Sequence, residues 1–79
     1  MPLPTPKNCR LDNRCEAFVV EINGRQWNCR ITLEAVADLY PGRDPVQAVS
    51  ESSLITRKVA EFVRSGDVEP IFLNSMHFR

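Results

Sequence analysis

Four side chains of this chain are of types that do metal or nucleophile chemistry: Cys9, Cys15, Cys29 and His77. Thiolates and imidazole are the ligands a structural zinc prefers, and three cysteines with one histidine form a known set. The spacing argues against it, since no two of these cysteines stand at the short C-x2–4-C interval usual in such sites. A thiol nucleophile would need a base in reach and a pocket, and the sole histidine sits near the last residues, where order is weakest. The acid pair Asp67 and Glu69, and Glu21 upstream, read as solvated surface. Phosphate-binding glycine loops, dinucleotide fingerprints and H-E-x-x-H are absent from the sequence. No catalytic residue, metal or cofactor is expected, and no small-molecule substrate is indicated.

Arginine is the more informative residue type. It supplies eight of the ten basic side chains, and Lys7, Arg10, Arg14, Arg25 and Arg30 precede Thr32 against only Asp12, Glu16 and Glu21. That half is mildly basic within a chain of formal net charge +0 and pI about 6.5. A neutral whole argues against a dedicated nucleic-acid binder, although a basic surface in the first half could contact phosphate.

The elements that would position these groups follow from pattern. Asn23-Gly24 separates two alternating runs, 16–22 and 25–31, and reads as a two-residue type I′ hairpin in which both central residues take positive φ. The turn sets Ile22 opposite Arg25, Val20 opposite Trp27 and Phe18 opposite Cys29. Phe18, Val20, Ile22, Trp27, Cys29 and Ile31 then share one face, to be buried. The other face collects Ala17, Val19, Glu21, Gln26, Asn28 and Arg30, to be wet. Continued backward, the first strand puts Cys15 on the wet face, away from Cys29. Trp27 is expected to anchor the core. The strand 15–22, free of proline and inward charge, is expected to be an edge open to self-association unless the N-terminal segment covers it.

Thr32 is an N-cap candidate before Leu33, Val36, Ala37 and Tyr40, a short amphipathic stripe that Pro41-Gly42 ends. Asp44-Pro45 opens a second helix, predicted to run to about Ser65 and stop at Gly66. Residues 68–73 read as a strand in which Pro70, lacking an N–H, favours an edge or a strand start; 9–11 could add another. The predicted fold class is α+β: a small antiparallel sheet of three to four strands, order β-β-α-α-β, with two helices packed on one face. Residues 1–8, with Pro2, Pro4 and Pro6, are expected to be a flexible leader and 9–79 a single domain.

At 79 residues, 43% hydrophobic and 25% charged, the chain has room for one modest core. It is neither a membrane span nor compositionally disordered. The odd number of cysteines and the lack of a secretory leader predict a cytoplasmic protein with reduced thiols.

Taken together, Phe18-x-Val20-x-Ile22-Asn23-Gly24, Cys29-x-Ile31-Thr32-x-Glu34-Ala35, Asp44-Pro45 with Ile55 and Ala60, and Ile71-x-Leu73-x-Ser75-x-x-Phe78 resemble the small bacterial proteins grouped as domain of unknown function 1488. The resemblance covers most of the chain from Leu11 and implies a compact α+β bacterial protein with no established activity. It carries over no functional residues. The expected function is therefore a non-catalytic interaction or self-associating module whose surface is Ala17, Val19, Gln26, Asn28 and Arg30, with another protein or a second copy as partner. The alternative is a weak nucleic-acid-binding or regulatory domain that uses the basic half.

Overall fold

Asn23 and Gly24 both adopt left-handed backbone, with φ of 54° and 81°, as a turn matched to the right-handed twist of its strands requires. The computed structural model, which describes residues 4–78, pairs β2 (Cys15–Ile22) with β3 (Arg25–Thr32) antiparallel, and the register is the one the turn dictates. A second tight turn, with Asn13 at φ 58°, joins β2 to β1 (Lys7–Asp12), also antiparallel. Within β1, Asn8 takes φ 55° and the register shifts between Lys7 and Arg10. Two residues there oppose one, so the bulge turns Cys9 to the core face and Arg10 to the other.

β4 (Ile71–Leu73) completes a four-stranded sheet of order β1-β2-β3-β4, but it lies parallel to β3. The antiparallel sheet expected from sequence is therefore mixed. Between β3 and β4 the chain runs through helices that carry it back to the end where β3 began, so β4 travels in the same sense, as crossover connections do. Pro70 precedes an edge strand, where its missing N–H costs no ladder bond.

Three helices replace the two expected. The Thr32 hydroxyl accepts the Ala35 N–H at 3.1 Å and opens α1 (Leu33–Leu39). Pro45 begins α2 (Pro45–Ser50), and α3 (Ser53–Arg64) follows after a break at Glu51 and Ser52. The break has a cause in Ser52, whose hydroxyl caps α3 by accepting the Ile55 N–H at 3.2 Å rather than continuing the α2 helix. Among the described residues, no helix is long and apolar enough to cross a membrane.

All three helices cover one face. Phe18, Val20, Cys29, Ile31, Ile71 and Leu73 meet Val36, Val49, Ile55 and Val59 there in one buried cluster. Trp27 is not its centre. It is half-buried at the margin, with the Arg25 guanidinium 3.9 Å over its ring, because the helices seat over the Phe18–Ile31 end of the hairpin. β2 is not an edge either, since β1 covers it, and it does carry an inward charge in Glu16. The strand begins at Lys7 and Pro6 is already buried, so regular structure includes the last residues of the 1–8 segment; residues 1–3 of it lie outside the described ones.

Candidate functional site

The sheet face opposite the helices is left open. Its rows follow from register: Arg10, Ala17, Arg30 and Phe72 lie side by side across the four strands, and Lys7, Val19 and Asn28 form the next row. Ala17, a single methyl group between two arginines, leaves low ground that a longer side chain would fill. A recess of about 170 Å³ results, lined by Arg10, Ala17, Phe18, Asn28, Cys29, Arg30 and Pro70.

Fixed contacts frame this recess. Arg30 donates from Nη2 to the Asp12 carboxylate at 3.2 Å and to the Asp12 carbonyl at 3.3 Å, which holds its guanidinium along the face. On the other side Glu69 accepts from Arg25 at 2.8 Å, from the Asn28 backbone N–H at 3.0 Å and from the Asn28 side chain at 2.9 Å. The Asn28 N–H, followed by Arg25 and the Asn28 amide, holds the Glu69 carboxyl below its ordinary range, so it stays a committed anion. Arg10 is exposed and has neither an ion-pair nor a side-chain hydrogen-bond partner among the described residues. The cations around the recess thus exceed the carboxylates available to neutralise them.

Of the five surface residues named from sequence, Ala17, Asn28 and Arg30 line the recess, and Val19 adjoins it in the next row. Gln26 does not reach it and stands exposed beside Glu21 near the hairpin turn. Two members were missed. Arg10 faces outward only because of the bulge at Asn8, for which an asparagine ahead of Cys9 was the available signal. Phe72, 45% exposed and next to Arg30, supplies an outward aromatic where the hairpin alone offered none.

The chemistry-bearing residues are not assembled. Among the described residues no three His, Cys, Asp or Glu side chains gather as a metal cluster. Burial, with the Glu16 charge adding, pushes the Cys9 thiol up to about 11, and burial with Glu69 pushes Cys29 up to about 12. Neither forms a ready thiolate at neutral pH. His77 is engaged locally, its Nδ1 accepting the Asn74 N–H at 3.0 Å and its ring meeting Phe62 edge-on.

Among the described residues Glu16 is the ionisable carboxyl in a buried interior that also holds the polar Ser52 and Thr56. It is fully buried, and among the described residues neither carboxyl oxygen has a hydrogen-bond partner. Burial raises its pKa to about 7; Asp44 pushes the same way and the Cys9 thiol opposes. A group so enclosed touches no ligand, and its effect is on stability.

Comparison with known proteins finds no matching family model, no similar curated protein and no similar solved structure.

Proposed function

We propose that this chain is a non-catalytic binding module that works through its open sheet face, as a bacterial cytoplasmic protein. One observation carries the reading. A four-stranded sheet with helices on one side only leaves the row Arg10, Ala17, Arg30 and Phe72 without a helix over it, with Arg10 and Phe72 exposed and Ala17 buried at the floor of a recess, where a small domain with no partner would keep a plain polar surface. The thiols supporting a catalytic reading are buried or separated, and Glu16, the buried carboxyl among the described residues, is closed to solvent. The sheet edges are poor docking strips, one bulged at Asn8 and the other three residues long, so the face is the better surface. Membership of the domain of unknown function 1488 family is part of this proposal, supported by the fact that many of the matching positions, among them Phe18, Val20, Asn23, Gly24, Cys29, Ile31, Ile55, Ile71 and Leu73, are core or turn positions of this fold.

A second reading is favoured by Phe72. An exposed aromatic beside Arg30 is the element a single-stranded nucleic acid uses for base stacking.

A photo-reactive residue placed at Val19, and in a control chain at Arg57 on α3, tests the proposal in the cells that make the protein. A discrete adduct from position 19 and none from position 57 is expected. Equal labelling from both positions, or none from 19, overturns it.

A further inference from the structure

We propose that the recess between Arg10 and Arg30 binds a side-chain carboxylate of an acidic, extended segment of a partner protein laid across the open sheet face. The inference deepens the reading of that face as a binding surface and rests on it.

The geometry comes first. Arg10, Ala17 and Arg30 are cross-strand neighbours on β1, β2 and β3, so the two arginine Cα atoms stand about 10 Å apart, twice the strand spacing. Both arginines line the recess, with the Ala17 methyl group on the strand between them. The recess of about 170 Å³ has room for a carboxylate and the methylenes that carry it.

Charge decides the sign of the occupant. Arg30 has already spent Nη2 on Asp12, which fixes its direction and leaves the rest of the guanidinium fork to a second acceptor. Arg10 is wholly uncommitted among the described residues, and Lys7 lies exposed in the adjoining row. Glu69 is already paired with Arg25 and holds two further hydrogen bonds from Asn28, so it is directed away from Arg10 and Arg30. Planar guanidinium groups pair with carboxylates through two parallel hydrogen bonds, the strongest neutral-pH recognition a sheet face can offer an anion.

Breadth of charge then separates an acidic segment from a nucleic acid. A phosphate backbone would have to pass Glu69, Asp12 and Glu21 at the margins of the same face, on a chain of net charge +0. Among the described residues it would also find a single outward aromatic on this face, Phe72 at the β4 edge. A protein segment with one well-placed acid and apolar neighbours avoids those carboxylates. It can lay its apolar residues on Val19, Pro70 and Phe72.

The test uses the full chain, labelled with ¹⁵N, and three fluorescein-tagged probes: a decapeptide alternating Glu and Val, its Lys-and-Val counterpart, and a twelve-nucleotide oligothymidine. Anisotropy and amide shifts are read at low and at physiological salt. The acidic peptide is expected to bind, with shifts confined to Ala17, Val19, Asn28 and Arg30 and their neighbours, and the basic peptide to leave them unmoved. R10E is expected to weaken binding at least tenfold. A17L, which fills the recess, should do the same, and R64E on α3 should change nothing; circular dichroism verifies the fold of each variant.

Oligothymidine binding more tightly than the acidic peptide, with loss in R10E, overturns the acidic segment while the open-face reading stands. So does a dimer of the chain alone that R10E weakens. No shift on this face with any probe, together with no adduct from position 19 in cells, sinks both readings. Acidic-peptide binding that ignores R10E and A17L places the site elsewhere and overturns the recess alone.

Discussion

The hydroxyl of Tyr40, at the C-cap of α1, lies 2.5 Å from that of Ser52, the N-cap of α3. One hydrogen bond therefore ties the end of one helix to the start of another across α2. Ser52 is buried, and its oxygen also accepts the Ile55 N–H. Tyr40→Phe should cost about 1 kcal/mol, the net value of one hydrogen bond. Ser52→Ala should cost about 2 kcal/mol, since it also removes the cap. Urea denaturation of both singles and the double measures the coupling. Strict additivity would show that the two hydroxyls do not cooperate.

Glu16 makes stability depend on pH in the direction opposite to a salt-bridged acid. Its native pKa, about 7, lies above the unfolded value near 4.5, so the folded state holds the proton more tightly. The native state is fully favoured below pH 4.5 and loses that advantage as pH rises through 7. The loss should be about 1–2 kcal/mol, because relaxation of the surroundings around the ionised carboxylate returns part of the burial cost. Glu16→Gln should flatten the profile and be the more stable protein at pH 8. Thermal melts from pH 4 to 9 decide it, and a wild-type maximum at pH 8 would refute the assignment.

Phe18 and Trp27 should separate sharply by cost. Phe18 is enclosed on the core face, and Phe18→Ala should cost about 3–5 kcal/mol through lost burial and a cavity. Trp27, half-buried under Arg25, should cost about 1–2 kcal/mol on truncation. Equal midpoint shifts in denaturant would put Trp27 back in the core.

Cysteine alkylation should be ordered by position. Cys15 lies on the open sheet face, half-exposed, whereas Cys9 and Cys29 face the core with raised thiols. Iodoacetamide at pH 8 should label Cys15 at least about tenfold faster than either of the others. Mass spectrometry of a time course reads the order directly.

The hairpin 15–32 was legible because Asn23-Gly24 forces a single register, and one register sorts every side chain of two strands. Thr32 and Gly66 marked helix ends for equally local reasons. The direction of β4 was hidden, since Ile31 meets Leu73 only through the path of the helices between them, and no local residue encodes that path. The break at Ser52 was masked because a serine on the buried arc of a continuous helix and a serine capping a new one give the same periodicity. Half of the proposed surface was legible for the same reason as the hairpin. Arg10 was not, because a one-residue bulge inverts the alternation from which faces are read.

Parallel pairing of β4 with β3 also sets the order of assembly. Both hairpins close over a few residues and form on a microsecond scale, while β4 must wait for the helices to fold and return, which carries the entropy of the longest loop in the chain. Pro70 and the Glu69 clamp on Asn28 arrive with that last strand. The arginines are therefore displayed early, but the walled recess exists only once β4 has docked. An anion that fits it would bind only chains with β4 in place and act as a seal on that docking.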